Sequence, residues 1–322
     1  MPSEFSLTYL NTIQSRDVKW LWYPYIPYGK ITIVQGDPGD GKTTFILSLI
    51  AGLTHAGNLP CSKEKLFCKS IYQNTEDDLA DTIKPRLERH GADCSQVCFI
   101  DKPEQLLLDD NCLETAILES QAKLLVLDPL QSFIGENVDM NRANSIRPRL
   151  SKLKLIAEKT GCAVVIIGHL NKKAGGKVDY RGLGSIDIQA AARSVLLIGK
   201  HTDYPGFRFV VQQKNNLAPL SKTLGFTLDN GVVKWLGTFP ILAEDLVIGE
   251  TRKKSKERIA VKIIANLLLR GAKPSEQIFK RCADEGISER TVNNAKKKLN
   301  IRAFRKENAW YWEFIPYTSL EK

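Results

Sequence analysis

Eight residues, Gly36-Asp37-Pro38-Gly39-Asp40-Gly41-Lys42-Thr43, stand between an apolar β-branched run, Ile31-Thr32-Ile33-Val34, and a helix-like run, Thr44-Phe45-Ile46-Leu47-Ser48-Leu49-Ile50-Ala51. A strand, a glycine-rich turn and a helix in that order leave few folds open. Ligands of open α/β sheets sit at the carboxyl ends of the strands, and the turn falls there. The glycines let the backbone curl until several N–H groups face one point, and the helix start adds positive potential. The fitting occupant is the phosphate chain of a nucleoside triphosphate. Lys42 reaches the β- and γ-phosphates, the Thr43 hydroxyl can ligate Mg²⁺, and Thr44 continues the helix behind them.

Further apolar runs at 30–35, 70–75, 97–101, 123–128, 163–168 and 194–199 alternate with helical periods at 42–54, 77–90, 112–121, 142–160 and 185–193. That alternation predicts an α/β fold, a mostly parallel sheet covered by helices. After residue 200 the rhythm changes to strands near 207–213, 222–228 and 231–236, with Asp229-Asn230-Gly231 as a hairpin turn. Residues 1–236 thus read as one domain, 237–257 as a linker, and 258–322 as a second, smaller domain.

The run Leu124-Leu125-Val126-Leu127 brings Asp128 out at the carboxyl end of a buried strand, where it would share the Mg²⁺ with Thr43. Hydrolysis also needs a group that orients and deprotonates water. Many ATPases place a glutamate directly after the magnesium aspartate, but here Pro129 follows. Glu76, after Ser70-Ile71-Tyr72-Gln73-Asn74-Thr75, is the candidate if its strand neighbours that of the phosphate loop. A capping acid for a helix beginning near Asp77 is the plainer reading of Glu76.

Net charge is +10 and unevenly placed. Residues 251–322 hold 18 Lys and Arg against 8 Asp and Glu, so the first 250 residues are neutral. The basic end points to a nucleic-acid partner or to a solubilising tail. No apolar run is long enough to cross a membrane, and Met1-Pro2-Ser3-Glu4-Phe5 is too polar for a signal peptide. Seven scattered cysteines suit reduced thiols in a cytoplasmic protein. His90, Cys94 and Cys98 share a spacing that a metal could use, without a second ligand pair.

Within the basic end, Ile259, Ile263, Ile264, Leu267 and Leu268 mark one helix, and Pro274 starts a second that runs to about Glu285. Ser288 caps a third at 289–299, with Ile287 and Val292 as a hydrophobic staple. That helix buries Val292, Ala295 and Leu299 and turns Arg290, Asn293, Asn294, Lys297 and Lys298 outward. Residues 302–305 and 309–314 make a hairpin whose basic tip holds Arg305 and Lys306. The whole resembles a winged helix, which binds duplex DNA or, in other cases, protein.

Taken in order, the phosphate loop, Asn74-Thr75-Glu76-Asp77, Leu127-Asp128-Pro129, Gly168-His169-Leu170-Asn171-Lys172 and Gly184-Ser185-Ile186-Asp187 resemble RecA-like ATPases. Within that group the chain is most similar to RepA-type replicative helicases of plasmids and to their phage relatives, over about residues 15–236. The resemblance implies a RecA-like fold, ATP with Mg²⁺, and a homo-oligomeric ring such as a hexamer. It implies that Glu76 is the catalytic base, that Lys42 is catalytic, and that His169 senses the γ-phosphate. Lys214 matches a basic finger reaching the neighbouring subunit's site, although the family finger is often arginine, whose planar fork a lysine lacks. The glycine-rich stretch 171–182 would face the ring's channel, where Lys172, Lys173, Lys177 and Arg181 track single-stranded DNA. An exposed surface loop is the alternative. The Asn171-Lys172 pair lacks the aspartate that guanine recognition needs, which favours ATP.

The implied protein is an ATP-driven DNA motor of a mobile element. A regulatory protein that binds DNA under ATP control, without unwinding, is the second reading. The aromatic cluster Trp20, Trp22, Tyr23, Tyr25 and Tyr28 is open between an adenine platform and packing of the sheet edge.

Overall fold

The computed structural model describes residues 7–62, 64–102, 104–135, 143–170, 186–201, 204, 206–247, 255–269, 271–299 and 301–315. The chain enters through a short hairpin of β1 (Trp20–Trp22) and β2 (Ile26–Pro27). The main strands follow: β3 (Ile31–Gly36), β4 (Ser70–Asn74), β5 (Val97–Cys98), β6 (Leu124–Asp128), β7 (Ala163–His169), β8 (Ser194–Lys200), β9 (Phe207–Asn215), β10 (Thr223–Asp229) and β11 (Val232–Phe239). Among the described residues these nine form one sheet in the order β11-β10-β9-β8-β3-β7-β6-β4-β5. The strands from β8 to β5 run parallel, and β9, β10 and β11 extend the sheet antiparallel beyond β8.

β3, β4 and β6 are buried at every position, as parallel strands covered on both faces must be. One face packs α1 (Lys42–Thr54) and α2 (Lys84–Arg89) through Phe45, Ile46, Leu49 and Leu87. The other packs α3 (Cys112–Ser120), α4 (Ala143–Thr160) and α5 (Ile186–Ala191) through Leu113, Ile117, Leu150, Leu153 and Ile188. The antiparallel edge turns at Asn230 and Gly231, both at positive φ, the geometry a two-residue hairpin turn requires.

Three expectations need correction. The run 97–101 keeps only two residues of strand at the sheet edge. The helix expected from 77 begins later: Asp78, not Glu76, caps it by accepting from the N–H groups of Ala80 and Asp81, and a wide turn at Leu79–Ile83 precedes α2. Pro85, with no N–H to give, sits where that turn passes into the helix. Finally, 237–257 is not a plain linker. β11 runs on to Phe239, and α6 (Ala243–Val247) follows, with Ile241 and Asp245 buried.

Beyond it lie α7 (Lys256–Leu268), β12 (Lys273–Pro274), α8 (Ser275–Ala283), α9 (Glu289–Lys298), β13 (Ile301–Lys306) and β14 (Ala309–Phe314). The three strands form a small antiparallel sheet in the order β12-β14-β13. This carboxyl-terminal unit shares a core with the edge of the large sheet. Phe207, Phe209, Val211 and Phe239 pack with Ala260, Val261, Ile264, Ile278, Val292 and Trp312. Thr238 Oγ1 adds a hydrogen bond to Lys298 O at 2.9 Å. β9 therefore has two occupations: Phe207, Phe209 and Val211 face this seam, while Val210, between them, belongs to the core under α1.

Candidate nucleotide site

Gly36 closes β3 with no room for a side chain, since a Cβ there would lie 2.2 Å from Ile198 O on β8. Pro38 and Gly39 form the exposed crest of the loop. Gly41, at φ +90°, turns the chain into α1 and accepts the first helical bond from Phe45 N–H at 2.8 Å. Thr44 is half-buried in that first turn. Asp40 is buried under the crest, where its Oδ2 accepts from Asp37 N–H at 3.1 Å and its carboxylate pairs with Lys200 at 3.5 Å.

Lys42 folds back into the loop. Its Nζ donates to Gly36 O and Asp37 O, both at 2.9 Å, and lies 3.2 Å from His169 Nδ1. An ammonium only donates, so Nδ1 accepts and the imidazole proton sits on Nε2. His169 ends β7 opposite Gly36 in register. Burial, reinforced by Lys42, holds the His169 imidazole below its ordinary range. Burial also lowers Lys42, against the pull of Asp40, Asp128, Asp37 and Glu76.

Asp128 Oδ2 accepts from Thr43 Oγ1 at 2.8 Å and from the Tyr72 phenol at 2.9 Å. Burial pushes this carboxyl up, and the two donors oppose that push. The phenol of Tyr72 is driven upward by burial and by Asp128 beside it, so it stays a protonated donor. Sequence reasoning missed Tyr72. Its only signal was its place two residues before Asn74 on one face of β4.

Asn74 Oδ1 receives the N–H groups of Glu76 and Asp77 at 2.9 and 2.7 Å, which fixes the turn that carries Glu76. Glu76 is exposed, and Lys42, Asp128 and His169 all feel its charge. The route by which it arrives differs from the expectation. β4 does not neighbour β3, because β7 and β6 lie between them. Glu76 follows a strand paired with β6, where Asn74 stands opposite Asp128.

This donor set suits a magnesium ion held with a nucleotide. The Thr43 hydroxyl and the Asp128 carboxylate are hard oxygens that already meet, and Mg²⁺ takes its other ligands from phosphates and water. Among the described residues no group of three or more His, Cys, Asp or Glu could hold a metal without such a partner. His90 is otherwise engaged, its Nδ1 with Arg86 O at 2.8 Å and its Nε2 accepting from Val233 N–H at 3.2 Å.

A family model described as an AAA domain matches residues 4–175, more than half of the chain. The chain belongs to the AAA domain family. The DNA repair protein RadA of Brucella abortus is 24% identical over 236 residues, which cover 70% of this chain and 44% of that protein. Protein RecA of Deinococcus radiodurans is 23% identical over 156 residues, covering 47% of this chain and 40% of its own length. This AAA domain chain thus spans under half the length of these curated relatives. The mostly parallel sheet, covered by helices on both faces and carrying the phosphate loop after β3, agrees with the RecA-like fold expected from the sequence. A crystal structure of a KaiC-like protein from Pyrococcus horikoshii aligns with a TM-score of 0.49 at 18% identity, over 65% of this chain and 90% of that one.

The remaining candidate residues of the AAA domain chain lie apart from the loop. Lys214 Nζ donates to Gln189 O at 2.7 Å and Ala192 O at 2.9 Å, holding the end of α5 within its own chain. A reach into a neighbour's site would have to break both bonds. Lys172, Lys173, Lys177 and Arg181 fall outside the described residues. On α9, Arg290, Asn293, Asn294, Lys297 and Lys298 are exposed, and Lys298 pairs with Glu257 at 3.1 Å. Arg305 and Lys306 are exposed before a turn in which Glu307 and Asn308 both take positive φ. Trp22 and Tyr25 are buried and stacked 4.1 Å apart beside Phe45, so their rings pack the sheet and offer no adenine platform. Among the described residues no helix is long and apolar enough to cross a membrane.

Proposed function

We propose that the chain is an ATP-hydrolysing DNA motor, a helicase or helicase-like ATPase working as a homo-oligomeric ring. The observation that carries the ATPase reading is the convergence of Lys42, Thr43, Asp128 and His169 at the carboxyl ends of β3, β6 and β7. Lys42 would leave the loop carbonyls for the phosphates, as an ammonium in a partly buried site gains more from an anion than from two neutral acceptors. Bound Mg²⁺ would neutralise charge on the phosphates, held by Thr43 and Asp128. Glu76 orients the attacking water and takes its proton. His169, neutral and bonded to Lys42, registers whether that lysine is engaged with the loop or with substrate.

Support for the DNA partner is the basic end. α9, capped by Ser288 at Thr291 N–H, carries its cations on one exposed face, and the β13–β14 hairpin carries more. We read the unit as a winged helix that binds duplex DNA, with the stretch around 172–181 meeting a single strand. Lys214 then serves the neighbouring site only in an assembled ring. A regulatory switch without unwinding has one observation in its favour, the docking of the basic unit against the sheet edge through a shared core.

ATP hydrolysis without DNA, with single-stranded DNA and with duplex tests the proposal. Stimulation by single strands supports the motor. ATP binding without stimulation by single strands favours the switch, and the absence of any ATP turnover overturns the ATPase reading.

A further inference from the structure

Arg208 stands near the start of β9, directly opposite Lys200 of β8 in the antiparallel register. Like charges placed opposite each other repel unless an anion lies between them. One anion is present: the Asp40 carboxylate, buried beneath the phosphate loop, pairs with Lys200 at 3.5 Å and accepts from Asp37 N–H. Arg208 feels the field of Asp40, but no hydrogen bond joins them among the described residues. Its Nε is buried and has no hydrogen-bond partner there. A buried donor without an acceptor is costly, and more so on a charged group.

The stem of Arg208 lies across the last glycine before Lys42. A Cβ built on Gly41 would come 3.2 Å from Arg208 Cδ and 3.3 Å from Nε. Two cations therefore flank the loop with one carboxylate between them, and the guanidinium, which that carboxylate leaves unbonded, lies against Gly41 at the start of α1. A second anion at that place would satisfy it.

We propose that Arg208 is a further nucleotide-binding residue, supplied from β9 of the same chain to the phosphates held by the loop. The inference rests on the ATP reading above. A guanidinium suits this position because its planar fork bonds two phosphate oxygens at once, whereas the compact ammonium of Lys42 acts as a point charge. Lys200, held by Asp40, has the supporting part of keeping the loop's own acid from repelling the ligand.

The test is the affinity of the full chain for ATP, ADP, AMP and adenosine by calorimetry, in wild type, Arg208→Ala, Arg208→Lys and Lys42→Ala. Melting curves without nucleotide check the fold of each variant. Arg208→Ala should weaken ATP and ADP by about 10- to 100-fold, the worth of a charge-assisted hydrogen bond, and leave adenosine as it was. Arg208→Lys, which keeps charge and most of the stem, should recover part of the loss. ADP affinity equal to wild type in Arg208→Ala overturns the inference, and so does an equal loss for adenosine, which would put the contact on the base. Wild-type chain that binds no nucleotide overturns the ATP reading itself. Binding lost in Lys42→Ala but kept in Arg208→Ala overturns only the role of Arg208.

Discussion

The phenol of Tyr72 and the hydroxyl of Thr43 donate to the same oxygen, Asp128 Oδ2, at 2.9 and 2.8 Å. Removing the phenol by Tyr72→Phe takes one donor from a buried carboxylate and costs about 1 kcal/mol of stability. The donor favours the ionised form, so its loss raises an already raised carboxyl further. In the proposed role as a Mg²⁺ ligand Asp128 must be ionised, and turnover should therefore fall as pH drops through its pKa. At fixed Mg²⁺ the acid limb of the pH–rate profile should move to higher pH in Tyr72→Phe. An unmoved limb would separate Tyr72 from the site.

Glu76→Gln keeps the shape of the exposed turn fixed by Asn74 but removes the carboxylate proposed as the base. ATP binding should persist while turnover falls by about 10²- to 10⁴-fold. Lys42→Ala should lose both. If Glu76→Gln turned over normally, the water would have to be activated by another group.

Arg290 and Lys297 are exposed on α9 and have no acidic partner among the described residues, unlike Lys298, which Glu257 holds. The double substitution Arg290→Ala, Lys297→Ala should weaken duplex binding across sequences. Each lost phosphate contact should flatten the dependence of log affinity on log salt by about 1. An unchanged slope would remove this face from the DNA contact.

Truncation after Val247 should not leave a well-behaved ATPase. Tyr204, Phe207, Phe209 and Phe239 are buried against α7 and its neighbours, and each aromatic left bare forfeits about 1.5–3 kcal/mol. The expected outcome is a chain that binds hydrophobic dyes and melts well below the full one. A soluble fragment with unaltered melting would show that the seam contributes little.

Much of the site was legible because its signals are local. α1 runs over Lys42–Thr54, the range its apolar period gives, since glycine, lysine and threonine mark its start by chemistry rather than propensity. What was not legible depends on strand order. Nothing within residues 70–76 says that β6 and β7 come between β4 and β3, so the neighbourhood on which the reading of Glu76 depends is not visible in the sequence. Tyr72 and Arg208 share that difficulty, each being an ordinary strand residue until a neighbour is known. The β1–β2 hairpin was hidden for another reason. With two or three residues per strand and a proline in the second, it carries too little period to be read.

The alternation along β9 has an implication for how such a chain can change. Phe207 and Phe209 are committed to the basic unit, and Arg208 between them stands on the phosphate loop. A replacement for the carboxyl-terminal unit would have to fit those two rings without tilting the strand, or it would withdraw the guanidinium from the nucleotide. The two halves are therefore poor candidates for exchange as interchangeable parts, and they should unfold as a single thermal event.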